Sequence, residues 1–113
     1  MRAPHSRLIV LDGIEIDLES HEFTRKGTTV HLTAKEFKLL YYLIEHAGAV
    51  MPHRRVLQAV WGPDYGEEVE YLRVFINQLR KKIEPDPSCP RFLLTEPPIG
   101  YRFVTSAATS EKS

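Results

Sequence analysis

The chain has 113 residues, 42% hydrophobic and 27% charged, the make-up of one soluble domain large enough to bury a core without staples. Fifteen Lys and Arg offset fifteen Asp and Glu, for a formal net charge of zero, so the chain as a whole offers no general attraction for a polyanion, and only an uneven distribution would create one. The single cysteine, Cys89, excludes an internal disulfide and suits a reducing cytoplasm; no segment reads as a signal peptide or a membrane span.

The opening MRAPHSR (1–7) and the closing TSAATSEKS (105–113) read as disordered ends around a domain over 8–104. LIVL, IEIDL, EFTRK and TTVHL follow as short β-prone runs. Asp12-Gly13, Ser20-His21 and Lys26-Gly27 punctuate them. Asp-Gly between such runs is a hairpin signal. Ile14, Ile16 and Leu18 alternate with Glu15 and Asp17, predicting one buried and one wet face of an antiparallel meander over 8–32.

The period then changes. In LTAKEFKLLYYLIEHAG, Thr33 followed by Glu36 forms a capping box, and Leu32 and Phe37 are spaced for a hydrophobic staple. Phe37, Leu40, Tyr41 and Ile44 share a face of the predicted helix, and Gly48 is placed to end it. Val50-Met51-Pro52 reads as a connector. HRRVLQAVWG is a second helix with Val56, Leu57, Val60 and Trp61 inward, stopped by Gly62-Pro63. An acidic loop with Asp64, Glu67 and Glu68 leads to a third helix over about 68–83. Pro85 stops that helix and EPDPSCPR reads as a rigid surface connector. FLLTE and YRFV around PPIG predict a terminal hairpin.

On the third helix Leu72, Ile76, Leu79 and Ile83 make one apolar stripe. The far side then carries Glu70, Val74, Asn77, Gln78 and Lys81, with Arg73 and Arg80 on a flank. Amides suit adenine edges, valine suits a thymine methyl, and flanking cations suit phosphates or guanine. The same charges would also make an ordinary solvated face. Arg102, at the end of the hairpin, suits a minor groove or a phosphate, or is a plain surface arginine. The five histidines lack metal-ligand spacing, and there is no glycine-rich phosphate loop or nucleophile motif, so no metal, cofactor or catalytic residue is expected.

LTAKEFKLLYYLIEHAGAV, RRVLQAVWG, LRVFINQLRKKIEPDP and GYRF stand in one order over about 8–104. Together they resemble the DNA-binding domain of OmpR/PhoB-type response regulators, the effectors of bacterial two-component signalling. YLRVFINQLRKKIEPDP and PRFLLTEPPIGYRF are similar to the branch controlling high-affinity potassium uptake. The resemblance implies an α+β winged helix-turn-helix: an N-terminal four-stranded antiparallel sheet, three helices and a C-terminal β-hairpin wing. It implies that Val74, Asn77, Gln78 and Lys81 meet bases and backbone in the major groove, and that Arg102 in the wing (95–102) meets the minor groove. Trp61 would approach phosphates, and the loop 62–69, with Asp64, Glu67 and Glu68, would face RNA polymerase or its sigma subunit. A monomer in isolation that pairs on direct-repeat half-sites is expected.

The family's receiver domain has no counterpart here, so the chain reads as the C-terminal half of a longer regulator, with a standalone winged-helix protein as the alternative. Departures from the family pattern are Glu70 and Arg73, where arginine and aspartate are typical, and Pro98 at a wing-tip glycine position. Phe75, where close relatives carry a polar residue, is left out of the expected base readers. A protein-interaction module on the same scaffold is the alternative, and chain neutrality favours it slightly.

Overall fold

A computed structural model describes residues 8–11 and 14–104 of the chain. Asp12-Gly13 and the two predicted disordered ends lie outside the described residues. Four strands open the fold: β1 (Leu8–Leu11), β2 (Ile14–Asp17), β3 (Glu22–Arg25) and β4 (Thr28–His31), hydrogen-bonded in that order and antiparallel throughout. Ile14, Ile16 and Phe23 are buried, while Glu15 and Glu22 stay in water. The predicted alternation thus follows from the pleat.

The turns have local causes. Lys26 and Gly27 both adopt positive φ, 50° and 82°, between the paired Arg25 and Thr28, as a two-residue hairpin turn of the right twist requires. At the β2–β3 turn the Asp17 carboxylate accepts the amides of Glu19 and Ser20, and His21 closes the turn at φ 62° with its ring stacked 3.9 Å from Phe37.

Helix α1 (Ala34–Glu45) starts on the predicted capping box. The Glu36 amide donates to the Thr33 hydroxyl at 3.2 Å, and the Thr33 amide donates to Glu36 Oε1 at 3.0 Å. Its buried face is rotated from the expected one. Leu39, Leu40 and Leu43 are fully buried, whereas Tyr41 and Ile44 are only half-buried at its flank. The helix is apolar over more than one stripe, and contacts with the two later helices and the C-terminal sheet choose among its faces. Helix α2 (His53–Trp61) buries Val56, Leu57 and Val60, and Gly62 ends it at φ 124°. Helix α3 (Val69–Ile83) follows the acidic loop.

Residues Val50–Pro52 are not merely a connector. They form strand β5, which joins the hairpin of β6 (Leu93–Glu96) and β7 (Gly100–Phe103) in a three-stranded sheet ordered β5-β7-β6. Met51 pairs with Tyr101, a partner fifty positions away, and nothing local in three residues ending in proline reveals it. Pro52 is tolerated because β5 lies on the sheet edge. A Cβ on Gly100 would lie 1.9 Å from the Met51 carbonyl oxygen, so the close approach of β7 to β5 requires glycine there. The Pro97–Pro98 bond at the wing tip is cis. The architecture is a winged helix. Among the described residues, no helix is long and apolar enough to cross a membrane.

Candidate nucleic-acid interface

Helix α3 positions most of the predicted residues. Leu72, Ile76 and Leu79 are 0% exposed and Ile83 is 1% exposed. That stripe fixes the rotation of the helix, and its far side is open. Glu70, Arg73, Val74, Asn77, Gln78 and Lys81 are all exposed. Val74, at 53%, presents its branched methyls to solvent between the arginine and the amides. Arg73 Nε lies 3.2 Å from Glu70 Oε1, one turn back on the same face. The surface therefore combines two carboxamides, an aliphatic and a lysine, with an arginine held by an exchangeable exposed partner. These are the groups that read base edges and phosphates.

Two of the helix's four cations are committed elsewhere. Arg80, expected on the phosphate-facing flank, turns toward the wing. Its Nε and Nη2 donate to the Leu93 carbonyl at 3.0 and 2.8 Å, and Nη2 also donates to Thr95 Oγ1 at 2.7 Å. A rigid fork at the rim of the core finds carbonyl acceptors on the unpaired edge of β6 before it finds solvent. In the DNA-free chain Arg80 is therefore occupied within the protein. Lys82 reaches back to Glu36 at 2.6 Å. Burial pushes the Glu36 carboxyl up. The Lys82 ammonium, the Thr33 amide and the Thr33 hydroxyl outweigh it and hold the group below its ordinary 4.5.

The sequence reading missed Glu84. It is the C-cap of α3 and is 0% exposed. Its carboxylate accepts the amides of Arg91 at 2.7 Å, Phe92 at 3.0 Å and Leu93 at 2.8 Å, while Arg25 Nη1 donates to its carbonyl. Arg80 and Glu84 thus grip Leu93 together, one on its carbonyl and one on its amide. The segment after α3 is pinned to the helix by this clasp. The only signal in the sequence was an arginine and a glutamate four apart, one turn of the helix, and that spacing is commonplace.

The predicted wing arginine is also engaged. Arg102 lies on the central strand β7, not at the hairpin tip, and its Nη2 is bonded to Glu96 Oε2. Its Nε is buried without an acceptor.

Trp61, expected near phosphates, is half-buried in an aromatic cluster. Phe75 meets it edge-on at 4.9 Å, Tyr71 lies at 5.4 Å and Tyr65 at 6.4 Å. Trp61 therefore packs α2 against the start of α3, and Phe75, doubtful as a base reader, is its partner. In the loop Asp64 and Glu67 face solvent. Glu68 is exposed as well, but its carboxylate is engaged within the loop. Its carboxylate accepts the amides of Gly66 at 2.9 Å and Glu67 at 3.0 Å. Those bonds, chiefly the one from Gly66, hold it below its ordinary range.

The profile described as "Transcriptional regulatory protein, C terminal" matches residues 27–103. The chain belongs to this family. It is 42% identical over 97 residues to the KDP operon transcriptional regulatory protein KdpE of Escherichia coli (strain K12), covering 86% of this chain and 43% of that protein. The chain thus spans less than half the length of that relative. The crystal structure of the Klebsiella pneumoniae RstA DNA-binding domain in complex with RstA box superposes with a TM-score of 0.77 at 28% identity, over 87% of this chain and 97% of that one. DrrB, an OmpR/PhoB homologue from Thermotoga maritima, also gives 0.77 at 32% identity, over 86% of this chain and 44% of that one. The fold is the winged helix of OmpR/PhoB type, and its sequence is of KdpE type.

Proposed function

We propose that this chain is the sequence-specific, double-stranded-DNA-binding output domain of a two-component response regulator of KdpE type. The observation that carries the reading is the orientation of α3. Its aliphatic stripe is sunk in the core, so Val74, Asn77, Gln78 and Lys81 look outward together. A solved relative with this fold is a complex with its DNA box. In the proposed arrangement α3 enters the major groove. Asn77 and Gln78 read base edges, Val74 meets a thymine methyl, and Lys81 and Arg73 hold the backbone. The wing lies along the neighbouring minor groove.

Two copies occupy direct repeats about one helical turn apart, with a monomer in isolation. The exposed acids Asp64 and Glu67 give the loop 62–69 the charge to meet a basic face of RNA polymerase or its sigma subunit. Glu68, exposed too, adds to that charge and also braces the loop through the Gly66 and Glu67 amides. The full regulator works in the cytoplasm, where phosphorylation of a receiver domain controls this domain, which is not itself phosphorylated, and potassium-uptake genes are the target.

In vitro selection from a random duplex library tests the reading. The expected outcome is an enriched half-site, repeated at about ten to eleven base pairs. Failure of any duplex to be enriched or to compete refutes it.

A further inference from the structure

We infer that Glu96 sets the specificity of this surface by holding Arg102 away from phosphates except on a matched site; the inference rests on the DNA-binding reading above. Leu94 stands opposite Arg102 in the β6–β7 register, and Glu96 stands opposite Gly100. Glu96 is thus the diagonal neighbour of Arg102 on one face of the sheet. The guanidinium crosses that diagonal to the carboxylate. The grip is one-sided. Nη2 is bonded, but Nε is buried with no acceptor, so the guanidinium leaves one of its donors unsatisfied.

In the paired state the segment from Glu96 to Arg102 carries one acid and one base and exerts no net pull on phosphate. Sequence-independent affinity grows with the number of cations that reach phosphates. Pairing with Glu96 removes Arg102 from that number at every mismatched site. On a matched site α3 is seated in the major groove and holds the wing against the backbone. A phosphate oxygen there competes with the carboxylate for the guanidinium, and on release from Glu96 the side chain turns outward and Nε leaves the site where it has no acceptor. The pair therefore lowers non-specific binding more than specific binding.

The test is an anisotropy titration of the whole chain on a selected duplex and on a scrambled one, across salt concentrations. Glu96→Gln should tighten binding to the scrambled duplex about threefold at low salt, with a smaller gain on the selected duplex. The slope of log affinity against log salt should steepen by about 0.9 for the one added phosphate contact, so a fourfold rise in salt should weaken the variant about 3.5-fold more than wild type and erase its advantage. Arg102→Ala in the same chain should erase the gain. In the DNA-free protein, the Arg102 Nε resonance should move on Glu96→Gln, which reports the pair without any duplex.

Unchanged or weaker scrambled-site binding by Glu96→Gln overturns the proposal, as does a gain that survives Arg102→Ala or an Nε resonance that does not move. A wild-type chain that binds no duplex refutes the DNA-binding reading itself. Normal wild-type binding with an inert Glu96→Gln refutes only the gate.

Discussion

Replacing Glu84 by alanine removes the acceptor for three backbone amides at once. Arg91 is exposed, so water replaces the carboxylate on its amide. Phe92 and Leu93 are 2% and 0% exposed, and their amides, now bonded at 3.0 and 2.8 Å, would be stranded. A buried donor left without a partner costs roughly 1–3 kcal/mol, so two of them predict a loss of about 2–6 kcal/mol. That is a large share of the roughly 5–15 kcal/mol that holds a domain folded.

Glu84→Gln keeps one acceptor oxygen but turns an amide NH2 toward backbone donors, and should lose about half as much. Urea unfolding followed by circular dichroism measures both losses. Hydrogen exchange at the Leu93 amide locates them, since that proton should exchange much faster in both variants. A Glu84→Ala protein within about 1 kcal/mol of wild type, or with an unaltered Leu93 amide, would refute the argument that this carboxylate ties the end of α3 to the start of the wing.

Arg80→Lys keeps the charge but loses the fork that grips the Leu93 carbonyl and Thr95. It should speed exchange in β6 and leave the salt slope of DNA binding unchanged, whereas a flattened slope would make Arg80 a phosphate contact after all. Asn77→Ala should cost roughly 1–3 kcal/mol on the selected site and relax preference at one base pair; Lys81→Ala should weaken all duplexes alike and flatten the slope, and titrations on matched and mismatched duplexes separate the two. Leu79→Ala, at a 0% exposed site, should lower stability by roughly 2–5 kcal/mol in the same urea assay.

Glu36 is held below its ordinary 4.5 in the folded chain, so its contribution is complete above that pH and is lost as pH falls through the folded value. Thermal melts below pH 4.5 should therefore show less acid sensitivity in Glu36→Gln than in wild type. Parallel curves would contradict the ion pair with Lys82.

Sequence alone determined what depends on near neighbours along the chain. The capping box of α1, the Lys26-Gly27 turn, the alternation in β2 and the four-residue stripe of α3 are local patterns, because backbone geometry repeats every two or 3.6 residues. The outward face of α3 was legible for the same reason: burying Leu72, Ile76, Leu79 and Ile83 leaves one rotation of the helix. Tertiary structure decided the fate of the long polar side chains. Arg80, Lys82, Glu84 and Arg102 looked like surface charges. Their partners, Leu93, Glu36, the amides of 91–93 and Glu96, lie six to forty-six positions away. A guanidinium, ammonium or carboxylate at the edge of a core takes whichever counter-group the fold brings within about 3 Å. No periodicity in the chain records that distance, which is also why strand β5 was unreadable until β7 came to lie beside it.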